Sequence, residues 1–433
     1  MRLGKAVRTI TPPPGLAMGG YAARQGAAEG AHDPLTVRAL VLEEAGVKAA
    51  LLVADLLMFP GKQALAIRRK AAKAAGLSPD DVIVAATHTH SGPVTFDLPE
   101  LGGPADHAFV EAVHEAIAAC AAEAAARLEP VRVGWGRAPV TGVGAVRRAT
   151  GGRPAAVQDA GGVTVVAFSA PSGALAAVLM HYACHPTVLG ADNRQYSADL
   201  LGAARAALEA ELGGRVPVVA INGACGDVST RFTRRSQTFD ELDRLGKVVA
   251  AAAMRALSHI RRFEMPAGGL RMSSARVDLP VRSLPSPAEA LAAVAAAEAE
   301  LKRVAADPSA DPAALRLARV ALEGAQVQAQ LAGTRPEGLK PEAVASLTAL
   351  RFGDCGLVTV PGELFHALGE ATQREAGLPC CIVVGYANGH VGYIPDDAAY
   401  DEGGYEVLSS HLERGAGRDL AYAAAALLWS LES

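Results

Sequence analysis

Asp81-Val82-Ile83-Val84-Ala85-Ala86-Thr87-His88-Thr89-His90-Ser91-Gly92-Pro93 is the stretch whose reading decides the fold. Its first half follows the turn-forming Ser78-Pro79-Asp80 and is a short, β-branched, apolar run. Such a run reads as a strand buried on both faces. The strand delivers Thr87 to His90 at its C-terminal end. In extended backbone, side chains two apart project the same way, so His88 and His90 face one place. His-x-His is common where metals bind. The plainer reading is two polar histidines at a loop mouth.

The same grammar recurs on either side. Upstream, 37–43 and 47–56 read as strands joined by a turn containing Gly46, and 63–75 as a helix. Downstream come an alanine-rich helix over 107–128, strands over 163–168 and 175–182, a helix over 198–212, a strand over 216–222 and a helix over 239–260. The pattern resumes with a strand over 350–360, a helix from about 363 to 376, a strand over 380–384, irregular chain to 406 and a closing helix over about 412–428. Between 287 and 347 the sequence turns Ala/Glu/Leu-rich and is broken at Asp307-Pro308 and Asp311-Pro312, which predicts an inserted helical hairpin. The expected architecture is an α/β fold, a mixed β-sheet core flanked by helices. It forms one domain over 1–433 with the 287–347 insertion inside it.

Composition narrows the function classes. Half of the 433 residues are hydrophobic and a fifth are charged, which describes a compact globular chain with a sizeable core. The net charge of −4 and the lack of dense Lys/Arg runs exclude a nucleic-acid binder as the natural reading. No transmembrane segment or signal-peptide h-region is apparent, so the expected location is cytoplasmic. Cys120, Cys184, Cys225, Cys355, Cys380 and Cys381 form no CxxC and lie mostly in apolar surroundings. They read as buried free thiols in a reducing compartment.

Four further strand-to-loop junctions carry polar groups. Tyr182-Ala183-Cys184-His185-Pro186-Thr187 places a histidine at one of them. Asn222-Gly223-Ala224-Cys225-Gly226-Asp227-Val228-Ser229 offers glycines that let backbone N–H groups approach a ligand, and a serine beyond them. Pro361-Gly362-Glu363 brings a carboxylate to the start of a predicted helix, and Asn388-Gly389-His390-Val391-Gly392-Tyr393 is the last. Each has a bland alternative as a structural histidine or a Gly-rich turn. Five such junctions in one chain is how α/β enzymes assemble sites.

Taken in order, these motifs resemble the catalytic domain of the neutral/alkaline, non-lysosomal ceramidase family. The Thr-His-Thr-His-Ser-Gly-Pro, His-Pro-Thr, Gly-Asp-Val-Ser and Pro-Gly-Glu segments and the late Asn-x-x-x-x-Tyr carry the likeness. The opening Ile-Thr-Pro-Pro, Gly-Gly-Tyr and His32-Asp33-Pro34-Leu35 add to it, so it extends from about residue 3 to about residue 425.

The resemblance implies a Zn2+ cofactor held by His88, His185, Glu363 and Tyr393, a nucleophilic Ser229, and His90 and Arg147 stabilising the oxyanion. Zinc would polarise the carbonyl and lower the pKa of a bound water that takes the serine proton. Arg148 is a neighbouring candidate for the arginine role. Asp227, Asn222, Gly226, Asn388 and His390 are candidates for contact with substrate or support of the ligands, Asp227 being equally readable as a turn-stabilising residue. The implied reaction is hydrolysis of an N-acyl amide, with ceramide the default substrate and a small-molecule or lipid-like partner.

The chain departs from the family pattern in places. Val146 precedes the arginine where the family has asparagine, which leaves the role open between Arg147 and Arg148, and Thr230-Arg231 follow Ser229 where the family usually continues with proline, which bears on the substrate. The sequence also shows nothing resembling the family's additional C-terminal β-domain. These features leave room for a soluble amide, or for an ester, carbamate or glycoside at the same zinc site. A non-catalytic metal- or ligand-binding relative is the reading furthest from the intact Ser229 and His90.

Overall fold

In the computed structural model, which describes all residues except 98–102, 149–160, 262, 265–267, 308, 311, 335–342 and 433, three sheets are built on one plan. The first runs in the order Val82–Ala86, Val47–Ala54, Thr36–Glu44, Arg2–Thr9, Glu129–Pro130. The second runs Val218–Asn222, Leu175–Tyr182, Gly162–Ser169, Arg132–Pro139, and the third Leu270–Leu279, Ala343–Phe352, Cys355–Thr359, Cys380–Val384. In each, the strands pair antiparallel except for one parallel pair at an edge. A parallel pair needs a crossover, and each has a helix for it: Gly61–Ala75, Asp199–Glu211 and His366–Ala376. The core is therefore mixed α/β, as the sequence predicts.

Period-two alternation decides which side chains meet. Leu51, Val53 and Ile83 of the first sheet, Phe168, Leu179 and Ile221 of the second, and Leu350, Leu357, Ile382 and Val384 of the third form one buried cluster between the sheets. The alternate residues face helices. Leu52 and Val84 pack with Ile67 and Ile117, and Val165 and Met180 belong to the same cluster as Leu201 and Val249. Leu347, Val358 and Val383 pack with Leu368, Leu420 and Leu428. Burial on both faces is why these strands read as continuous apolar runs rather than alternating ones.

The C-terminal ends of the three parallel pairs meet. The backbone N–H of Ala86 donates to Tyr386 O (3.1 Å), that of Gly385 to Asn222 O (3.1 Å) and that of Asn388 to Val84 O (2.8 Å). Junctions far apart in sequence thus share one region, and the polar residues that leave these strands are delivered there.

Several boundaries differ from expectation. Arg2–Thr9, Arg132–Pro139 and Leu270–Leu279 are strands that hydrophobicity does not reveal; the last alternates partly exposed with exposed residues along most of its length. The expected strand over 350–360 is two, Ala343–Phe352 and Cys355–Thr359, joined by a turn at Gly353-Asp354. The hairpin is present as Pro287–Ala305 and Pro312–Thr334. However, 343–347 belongs to the sheet and not to the hairpin, because the strand pairs with Leu270–Leu279 from Ala343 onward. Pro308 and Asp311, which carry the expected breaks, lie outside the described residues. Among the described residues no helix is long and apolar enough to cross a membrane.

Candidate metal and catalytic site

His88 leaves its strand in a left-handed conformation, φ 67°, which costs a non-glycine residue of the order of 1 kcal/mol or more. Two hydrogen bonds hold it there: its backbone N–H donates to Leu56 O (2.9 Å) and its Nδ1 to Leu57 O (2.8 Å). Tyr386, also at positive φ (56°), stacks on the ring at 4.0 Å and 18°. His90 Nδ1 donates to Gly20 O (2.8 Å). Gly20 sits at φ 103°, and a Cβ there would lie 2.7 Å from the His90 ring, so the Gly19-Gly20 turn is a seat cut for that imidazole. His185 Nδ1 donates to Cys225 O (2.6 Å).

Because a carbonyl oxygen only accepts, each of these bonds puts the ring proton on Nδ1 and leaves Nε2 as a lone pair. Those lone pairs converge. His88 Nε2 and His90 Nε2 are 3.2 Å apart, and the three histidines offer ligand atoms all within 4.8 Å of one another. Glu363 joins them: its Oε2 is 3.0 Å from His185 Nε2 and 3.5 Å from His88 Nε2, and its Oε1 is 3.6 Å from His390 Nε2.

Burial, with the neighbouring His88, holds His90 well below the usual histidine range. Burial and the charge of Arg147 push His185 down to about 4. Burial alone would raise Glu363, but the surrounding histidines outweigh it and hold the carboxyl well below its usual range, ionised. His185 Nε2, Glu363 Oε2 and His390 Nε2 are nevertheless buried with no hydrogen-bond partner. His185 Nε2 and Glu363 Oε2 are electron pairs facing each other in a dry site, an arrangement that a shared proton or a cation relieves, whereas His390 Nδ1 accepts from the Gly392 N–H (3.2 Å), so its Nε2 carries the proton toward Glu363. Two or three imidazoles with a carboxylate are ligands that zinc accepts. The backbone carbonyls on the Nδ1 atoms are the outer partners that metal-binding histidines ordinarily have.

Glu363 is not at a helix start. Glu363-Leu364 forms a two-residue parallel pairing with Tyr393-Ile394, in which Glu363 lies opposite Tyr393, and the helix begins only at His366. The two expected ligands are therefore rung partners. The Tyr393 ring lies parallel to that of His185 at 6.4 Å. Burial and the Glu363 charge raise its phenol well above the usual range.

Ser229 is buried and enters by a similar device. It bridges His185 in parallel, and the His185 N–H donates to Val228 O (2.9 Å). Its Oγ accepts from the Arg231 N–H at 3.3 Å.

The structure separates the two arginines. Arg147 donates to Tyr393 Oη (3.3 Å), Gly226 O (2.8 Å) and Glu406 Oε1 (2.8 Å). Burial works against its charge, and Glu406, Tyr393 and Glu363 more than compensate, holding it cationic. Arg148 instead ties down 399–406, donating to Glu402, Glu406, Ala399 O and Gly403 O.

Other candidates support the junctions that carry the histidines. Asn222 spends its amide on Cys184 N, Gly223 N, Thr87 O and Cys184 O, stitching three junctions together. Asn388 is likewise committed to Val84 N and Thr348 Oγ1. The Gly226 N–H donates to Leu364 O, and a Cβ there would lie 2.3 Å from Glu363 O, so this glycine permits contact between chain segments rather than with substrate. Asp227 accepts from the backbone N–H of His366 (2.7 Å), capping that helix rather than its own turn. His366 pairs with Glu370 (3.4 Å) and shares no helix face with Glu363.

Two residues of consequence lie outside the sequence-based site. One is Tyr386, whose only cue is its place after an apolar strand. The other is Glu406, which sequence reading leaves at the end of an irregular stretch.

A family model described as neutral/alkaline non-lysosomal ceramidase, N-terminal, matches residues 2–240. The chain belongs to this family. The matched ceramidase portion contains His88, His90, Arg147, His185 and Ser229. Glu363 and Tyr393 lie beyond it, in the part that structural likeness covers. A structure titled as ceramidase complexed with C2 superposes at TM-score 0.75 with 21% identity, over 99% of this chain and 75% of that one. The neutral ceramidase of Pseudomonas aeruginosa superposes at TM-score 0.72 with 22% identity, over 99% and 73%. No curated protein sequence matches the chain. At these identities the likeness establishes a shared ceramidase fold across nearly the whole chain.

Proposed function

We propose that this chain is a zinc-dependent amidohydrolase that cleaves an N-acyl bond, in ceramide or a related amide, with Ser229 as nucleophile. One observation carries the reading: the Nε2 atoms of His88, His90 and His185 and the Glu363 carboxylate converge, with orphaned buried atoms among them, on the strand end that Ser229 bridges. Family membership supplies the reaction class. Bound there, zinc would act as a Lewis acid and lower the pKa of its water.

The chain's own residues do the rest. His88, His185, Glu363 and Tyr393 hold the metal. Ser229 attacks the amide carbon from a position fixed by its bridge to His185. Arg147, kept cationic by Glu406, offers N–H groups beside Tyr393 where negative charge develops on the carbonyl oxygen. The C–N bond then breaks, the amine leaves with the proton given up by Ser229, and water hydrolyses the acyl-serine to release the acid and restore the serine. The six cysteines are all unbridged and buried, which supports a reducing, cytoplasmic setting.

A second reading of His90 is favoured by its proton. With Nδ1–H on Gly20 O, Nε2 presents a lone pair to the centre, which suits a metal ligand better than a donor to an oxyanion. Metal analysis of purified protein, followed by hydrolysis of short-chain ceramide and simpler N-acyl amines, tests the proposal. Roughly one zinc per chain and amide hydrolysis reduced at least 10³-fold in Ser229→Ala are expected. Full activity in that variant would remove the serine from the mechanism.

A further inference from the structure

As a zinc ligand, the reading on which this inference rests, Glu363 has two oxygens in different surroundings. Oε2 lies 3.0 Å from His185 Nε2 and 3.5 Å from His88 Nε2, on the side where the imidazole lone pairs converge. Oε1 lies 3.6 Å from His390 Nε2.

His390 is placed to serve neither as a ligand nor as a substrate contact. Its Nδ1 accepts from the Gly392 N–H (3.2 Å), so the ring proton sits on Nε2 and no lone pair is left for a metal. Nε2 itself is buried, out of reach of solvent and of anything bound from solvent, and has no hydrogen-bond partner. A buried donor without a partner is unfavourable, and the carboxylate in front of it is the group that can relieve it.

The turn that carries His390 is clipped to the segment that carries Glu363. The Val391 N–H donates to Pro361 O (2.8 Å), the Glu363 N–H to Gly392 O (3.0 Å), and Glu363 lies in register with Tyr393. Gly392 sits at φ 83°, a left-handed conformation that glycine adopts at little cost, and there its N–H turns back to the His390 ring. One turn thus fixes the backbone of Glu363 and aims a proton at its carboxylate.

We propose that His390 is a positioning residue for Glu363: its Nε2–H holds Oε1 and leaves Oε2 to the metal. The 3.6 Å separation is about 0.5 Å beyond a good hydrogen bond, and rotation of the carboxylate closes it when Oε2 has a cation to face. A ligand held at its outer oxygen has less freedom to lose when the metal arrives.

Zinc affinity, read by competition with a chromogenic chelator, tests this in three variants. His390→Gln keeps an N–H near the place of Nε2 and gives up the bond to Gly392. His390→Asn does the reverse, and His390→Phe keeps a ring without either bond. His390→Asn and His390→Phe should bind zinc roughly 10–100-fold more weakly than the parent, the effect of losing an outer partner, whereas His390→Gln should stay within about threefold. With zinc in excess, KM for short-chain ceramide should be unchanged in all three.

Parent-like zinc affinity in His390→Phe and His390→Asn, or a loss in His390→Gln as large as in His390→Phe, overturns the positioning role and leaves the zinc amidohydrolase standing. A raised KM with zinc affinity intact makes His390 a substrate contact and overturns it too. A parent that binds no zinc brings down both readings. Affinities in the expected order without cleavage of any amide uphold the positioning role and remove the amidohydrolase.

Discussion

Removing the proposed metal from the purified protein should cost stability by an amount set by two atoms. His185 Nε2 and Glu363 Oε2 are buried acceptors without partners, and each such atom costs about 1–3 kcal/mol. Stripping a cation that satisfies them therefore removes about 2–6 kcal/mol, with the low end expected because a proton can partly take its place. Unfolding entropy near 2.1 cal/mol/K per residue gives about 0.9 kcal/mol/K for a chain of 433 residues, so the melting temperature should fall by about 2–7 °C. Differential scanning fluorimetry at pH 8, with and without a chelator and then with added zinc, reads this directly. The loss should be reversed by zinc and should shrink toward pH 4, because His185 begins to take a proton at about that pH and ligands must be deprotonated to bind. A verified apoprotein that melts within 1 °C of the loaded form, an order-of-magnitude threshold from the same entropy, would refute the cation argument.

Three other expectations are sharp enough to fail. His88→Ala should lose zinc stoichiometry; if His90 is a substrate contact, His90→Ala keeps the metal and loses rate, whereas equal metal loss in both assigns His90 to the ligand set. Asp55→Asn should cost about 3–5 kcal/mol in urea denaturation, because Arg205, paired with that carboxylate by two 2.9 Å bonds, is left as a buried charge; a cost under about 1 kcal/mol would be too small for that. His181 is pushed by burial down to about 4 from an ordinary 6.5, so the unfolded chain binds the extra proton between those values. Its stabilising effect is complete above pH 6.5 and disappears as pH falls toward 4. His181→Gln should therefore flatten the loss of stability over that window by about 3 kcal/mol relative to the parent, and parallel pH curves would contradict it.

Much of this architecture is written locally. Val82–Ala86, Leu175–Tyr182 and Cys380–Val384 are buried on both faces, so their composition alone marks them as strands, and the polar residues that follow them mark the junctions. Leu270–Leu279 is illegible because its place comes from pairing with Ala343–Phe352 and not from its own hydrophobicity. Glu363 shows a subtler failure. Pro-Gly-Glu before an apolar run looks like a helix entrance, and only the distant Tyr393-Ile394 turns it into a strand rung. Gly226 reads as an opening for ligand until the Glu363 carbonyl occupies the space, and Tyr386 gives no sign of stacking on a histidine 298 positions away. Residue types at a site can be named from sequence. Which lone pairs face each other depends on contacts between sheets that no local pattern encodes.

The two helices between Leu270–Leu279 and Ala343–Phe352 have a consequence of another kind. Leu279 and Ala343 are opposite partners at the end of one ladder, so the chain departs and returns one strand spacing apart, and the sheet register is blind to what lies between. Yet Gly324 of the second helix packs against Leu408 and the backbone of Tyr405, beside the Glu406 that anchors Arg147. Exchange of the hairpin at those two ends is expected to alter the packing of Leu408 and Tyr405 beside Glu406 and to leave the Leu279–Ala343 ladder in register. The histidines, the serine and the rung that carries Glu363 would inherit the change without moving.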